Sequence, residues 1–155
     1  LLARLADGSL RDAISLLDQC VVPGAQLGEE QVLSALGLAG NLETARLLGH
    51  IADRNAEGAL EVLGRLYSDG KDVGSLLGEL SALCRDLLIR KIAPHGGTAL
   101  LTGGYDENTL RRFSERLSSA RLAQMLCLLQ EAYADLPRSG NRRTDAELCL
   151  FRLRR

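Results

Sequence analysis

Arg11 is the residue whose type and position ask most plainly for a chemical reason. It lies in the stretch ADGSLRDAISLLDQ, residues 6–19. Gly8-Ser9 breaks the preceding apolar run, and Ser9 can accept from backbone N–H groups two or three residues on, so a helix is predicted to start there. Asp12 completes an S-x-x-D capping box. Leu10, Ala13, Ile14, Leu17, Cys20 and Val21 then recur at helical spacing and form the expected core stripe. Arg11 falls on the other face, at the positive end of the helix dipole, where a cation costs roughly 0.3–1 kcal/mol. Local helix stability gives little reason for it, whereas an anion arriving at this helix start would give one.

The other residues that could do chemistry lack the partners they need. Gly70-Lys71 resembles the end of a P-loop, but position 65 is Arg and position 72 is Asp, so neither the phosphate cradle nor the magnesium-binding hydroxyl is spelled out. The pair reads as a helix-ending turn. His50 and His95 stand apart, without zinc-ligand spacing or a nucleophile to activate. Gly96-Gly97 and Gly103-Gly104 lack the strand and helix of a dinucleotide fingerprint and read as linker. Cys20, Cys84, Cys127 and Cys149 form no C-x-x-C pair. They are expected to be core thiols in a reducing cytoplasm, with no metal site.

The elements that must position these residues are helices. Among 155 residues, 34 are leucine, five are aromatic and three are proline, a composition that favours an all-α interior over strands. The formal charge of −1 argues against a general polyanion-binding surface. No apolar stretch reaches the roughly 18 residues of a membrane span, so no membrane partner is expected. The chain opens without Met, in what reads as the tail of a helix, and is expected to be a fragment.

Helical patterning predicts a helix from Ser9 to about residue 22 and a short one over 29–36. Longer helices follow at about 42–53, 56–68, 73–92, 106–117, 119–135 and 144–154. Residues 38–41, ending at Asn41 as the cap of the next helix, read as a linker between a region 1–37 and a helical domain 42–155. The helix from Val73 is the clearest. Leu76, Leu77, Leu80, Leu83, Cys84, Leu87 and Leu88 make its buried stripe, with Glu79, Arg85, Asp86 and Arg90 expected on a solvated face. At the end of the chain, Arg138, Arg142, Arg143, Arg152, Arg154 and Arg155 form a basic strip. It has no interleaved aromatics for base stacking, so the segment is read as an amphipathic helix docked through Leu148, Leu150, Phe151 and Leu153, its arginines at the solvent edge.

Gly8-Ser9-Leu10-Arg11-Asp12 through Leu16-Leu17-Asp18-Gln19 closely resembles the sensor 2 helix in the lid of the bacterial DNA polymerase III gamma/tau family, the ATPase of the sliding-clamp loader. Glu30 to Gly37 resembles that family's lid ending. Gly70 to Leu80 and Cys84 to Leu88 resemble its G-x-D…LL-x-EL…RDLL segment, and Ala146 to Leu153 its closing collar helix. The resemblance implies a partial AAA+ lid followed by a helical-bundle collar, the collar serving assembly. It implies that Arg11 is a nucleotide-sensing arginine, supported by Gly8, Ser9 and Asp12, reaching the terminal phosphate in the intact subunit. ATP, magnesium and the Walker motifs would belong to the rest of that subunit. No catalytic residue is expected in these 155 residues themselves. The implied partners are other gamma/tau, delta and delta-prime subunits through the collar, and the sliding clamp and primer-template DNA through the assembly, in the cytoplasm during DNA replication. A reading of another class remains open: a free-standing helical adaptor, unrelated to ATP, in which Arg11 pairs with an acidic neighbour.

Overall fold

A computed structural model describes residues 2, 6, 9–21, 28, 32, 39–94, 100–101, 104–105 and 107–154. Among the described residues it is all-α, with no strand: α1 Leu10–Cys20, α2 Ala39–Ala52, α3 Ala56–Ser68, α4 Val73–Ile92, α5 Glu107–Arg116, α6 Ser119–Asp135 and α7 Arg142–Leu153, with a 3-10 turn at Leu136–Arg138 between the last two. Of the expected helix over 29–36 only Val32 is described, helical and buried; Gly8, His95 and the loop glycines 96, 97 and 103 lie outside the described residues.

The helix starts are set by side-chain caps. Asn55 accepts from Gly58 N at 3.0 Å, Asp72 from Ser75 N at 2.9 Å, Ser118 from Arg121 N at 3.1 Å and Asn141 from Thr144 N at 3.2 Å. Each satisfies an N–H that has no intrahelical acceptor. The Gly70-Lys71 turn is a Schellman ending of α3. Gly70 has φ +82, its N–H donates to Tyr67 O at 3.1 Å, and Lys71 N–H reaches back to Leu66 O at 2.9 Å. Asp72 then caps α4, so the near P-loop is a helix end joined to a helix start.

α4 is the axis of the bundle. It packs most extensively on α6 and also touches α2, α5 and α7. Leu80, Leu83, Cys84 and Leu87 are fully buried along it, against Phe113 of α5 and Leu122, Met125 and Leu129 of α6. α2 and α3 form a close antiparallel pair across a turn in which Arg54 adopts φ 57. At their crossing, a Cβ on Gly58 would stand 2.5 Å from His50 Cε1.

Four expectations are corrected. Asp86 is 1% exposed, not solvated, because α2, α5, α6 and α7 all pack on α4. Leu148 and Phe151 do not dock, because the covered face of α7 is Ala146, Cys149, Leu150 and Leu153. This i, i+3, i+4, i+7 set leaves residues 148 and 151 on the opposite side, exposed. Cys127 is exposed, while Cys20, Cys84 and Cys149 are buried. On α1 the apolar stripe is real as a stripe but open: Leu10 is 76% and Ile14 57% exposed, and Cys20 alone is buried. The boundary at Asn41 also differs in detail. α2 already begins at Ala39, so Asn41 sits in its first turn instead of capping it.

Candidate functional site

Ser9 takes extended dihedrals, φ −82 and ψ 114, and its Oγ accepts from Asp12 N at 3.3 Å. The reciprocal half of the capping box is not used, because Ser9 N–H donates to Ala6 O at 2.8 Å. Asp12 is thereby left as a negative charge in the first turn, offsetting part of the cost of its neighbour. The Arg11 carbonyl accepts from Ser15 Oγ at 3.0 Å, fixing the backbone beneath the side chain. Arg11 itself is exposed, and among the described residues its guanidinium has no ion pair. It is a planar fork of donors beside N–H groups at the positive end of a helix, an arrangement that can take a tetrahedral anion.

Among the described residues, three of the six C-terminal arginines are paired within the fold. Arg152 pairs with Glu131 at 2.8 Å, Arg142 with Asp72 at 3.5 Å and Arg143 with Glu147 at 3.0 Å. Arg143 also lies over the Tyr67 ring at 5.4 Å. Beside them the exposed Leu148 and Phe151 border a cleft of 390 Å³ with Ala132, Asp135, Asp145, Cys149 and Arg152. The cleft thus sets exposed apolar side chains beside charged ones.

Sequence reasoning missed a polar cluster inside the bundle. Thr44 is fully buried, and its hydroxyl donates to Glu79 Oε2 at 2.9 Å. The other Glu79 oxygen accepts from Lys71 Nζ at 2.6 Å. Tyr105 is buried beside Thr44, and among the described residues its hydroxyl finds no hydrogen bond of good geometry. Burial raises the Tyr105 pKa, the carboxylates of Glu79 and Asp86 raise it further, and Thr44 works against them. Asn41 Nδ2 donates to Gly104 O at 2.8 Å. The nearest signal in the sequence was Asp86 and Glu79, both assigned to a solvated face. Nothing in the local pattern marks Thr44.

Burial favours the protonated thiol at Cys84 and Cys149. Desolvation pushes Cys84 up from 9.0 to about 12 against the opposing pull of Arg121, and Cys149 to about 11 against Arg152. Cys20 Sγ reaches Leu16 O at 3.1 Å. His50 Nδ1 faces Asn55 Nδ2 at 3.2 Å. Among the described residues no group of three or more His, Cys, Asp or Glu side chains converges as metal ligands would, and no helix is long and apolar enough to cross a membrane.

Residues 27–155 match the family described as DNA polymerase III subunits gamma and tau domain III. Residues 1–26 match the DNA polymerase III clamp loader subunit, ATPase lid domain. The two matches meet between residues 26 and 27, upstream of the residues 38–41 read as a linker. DNA polymerase III subunit tau of Bacillus subtilis is 30% identical over 154 residues, covering 99% of this chain and 27% of the relative. The subunit tau of Salmonella typhimurium is 29% identical, with 98% and 24% covered. That of Escherichia coli is 27% identical, again with 98% and 24% covered. The chain spans about a quarter of the length of these relatives.

Proposed function

The chain belongs to the gamma and tau subunit family of DNA polymerase III, and from that premise we propose that it serves ATP-dependent loading of the sliding clamp in DNA replication. Its first part would sense nucleotide and its helical bundle would hold subunits together. The observation that carries this reading is the order of the two matches, ATPase lid and then domain III, which between them cover residues 1–155. The free-standing adaptor is not favoured by that arrangement.

Arg11 is the proposed sensor. Its exposed guanidinium, beside the capped start of α1, suits the terminal phosphate of ATP, whose hydrolysis would be carried out by groups elsewhere in the full-length protein, magnesium ligands included. The arginine would form a charge-assisted, bidentate contact that exists only while that phosphate is present. Residues 1–37 would then move as a lid against the domain 42–155. We assign assembly with gamma/tau, delta and delta-prime subunits to the bundle, its rim at Leu148 and Phe151, with clamp and primer-template DNA met through the assembly, in the cytoplasm.

The test is Arg11→Ala in the full-length protein. Clamp-stimulated ATP hydrolysis should fall by about two orders of magnitude if a charge-assisted contact worth about 2–3 kcal/mol is lost at the reacting phosphate. The stability of this chain should change by no more than about 0.5 kcal/mol, as for an exposed surface substitution. Normal clamp loading by that variant would refute the sensor assignment.

A further inference from the structure

The first turn of an α-helix is its weakest part, because its N–H groups have no acceptor within the helix. α2 begins at Ala39 without an Asp or Glu in its first turn. Two of its early residues are nevertheless tied to distant parts of the chain. Asn41 Nδ2 holds Gly104 O at 2.8 Å, and the approach is so close that a Cβ on Gly104 would lie 2.6 Å from that nitrogen. One turn later Thr44 gives its hydroxyl proton to Glu79 of α4 at 2.9 Å. Glu79 is in turn fixed by Lys71 from the α3–α4 turn at 2.6 Å, and the buried Tyr105 ring closes the cluster. Two segments, residues 71–79 and 104–105, each tens of residues away in the chain, converge on the start of α2.

We infer that Asn41, Thr44, Glu79 and Lys71, backed by Tyr105, are an anchor that locks the first turn of α2 to the bundle. Movement of the preceding part of the chain is then delivered to the bundle as displacement of a whole helix, instead of being absorbed by unwinding its first turn. The anchor stands on these contacts alone; its use in nucleotide signalling rests on the function proposed above.

Amide hydrogen exchange tests the anchor on this chain without nucleotide. Residues 43–47 carry the first N–H groups bonded inside α2, and in Asn41→Ala/Thr44→Val their exchange should rise about tenfold relative to the parent, the effect of losing about one net hydrogen bond. Amides of α4 and α6 should keep their rates. Thr44→Ser, which retains the hydroxyl, should restore protection, and Glu79→Gln should leave it intermediate. Leu47→Ala serves as the contrast, since a core cavity accelerates exchange across the whole bundle. Equal acceleration of α2, α4 and α6 in the anchor variant, or none anywhere, would overturn the inference. Failure of the sensor reading shows separately, in the Arg11→Ala assay.

Discussion

α1 and α4 carry the same kind of message in sequence and meet opposite fates. Each has an apolar stripe at helical spacing and a capped start. In α4 the stripe is sealed by four neighbouring helices, with Leu80, Leu83 and Leu87 at 0% exposure. In α1, Leu10, Ile14, Leu17 and Val21 face outward. Periodicity reports which side of a helix wants to be covered, and the cover itself must come from elsewhere. The contrast gives the bundle a stability of its own and leaves α1 dependent on whatever covers it.

The contrast would break most visibly in the core of α4. Leu83→Ala should destabilise the bundle by about 2–5 kcal/mol through lost burial and an unfilled cavity, read as a shift in the denaturant midpoint. A change below about 1 kcal/mol would mean that α4 is no better covered than α1. Alkaline pH should act on the same side of the comparison. Cys84 and Cys149 are held protonated in the fold, at about 12 and about 11 against an ordinary 9.0. The unfolded chain therefore releases their protons first, and stability should be full below about pH 9 and fall as pH rises from there towards 11 and 12. A flat alkaline limb in chemical denaturation would contradict that burial. Cap removal sharpens the comparison further. Asp72→Ala should lower the cooperative melt of the bundle by about 1 kcal/mol, whereas Ser9→Ala should leave it unmoved and reduce only the helicity of α1. The smallest effect is expected for Ile14→Ser, within about 0.5 kcal/mol by the same melt, since its side chain is already mostly in water.

Much of the architecture was legible because helices announce themselves locally. Gly70-Lys71 reads as the helix-ending turn it forms, and α3, α4 and α6 begin and end where the pattern places them. What stayed hidden depends on neighbours. Asp86 looked solvated because one helix cannot reveal how many others will surround it. On α7, Leu148 and Phe151 looked like anchors because apolar residues crowd the segment on both faces, and only the packing of Ala146, Cys149, Leu150 and Leu153 decides which face is covered. At the candidate site, Ser9 as a cap and Arg11 on the polar face could be read directly. Thr44 and Tyr105 could not, since their meeting joins residues far apart in the chain.

The crossing of α2 and α3 has a consequence for how this sequence can drift. Gly58 leaves room for the His50 ring, and Asn55 both caps α3 and faces His50 Nδ1 at 3.2 Å. A methyl group at 58 is barred by the imidazole and also by the Asn55 amide, whose Nδ2 would stand 2.8 Å from it. Positions 50, 55 and 58 are therefore expected to vary as a set: alanine or serine becomes admissible at 58 where a small side chain replaces the histidine and a shorter capping residue, such as serine, replaces the asparagine.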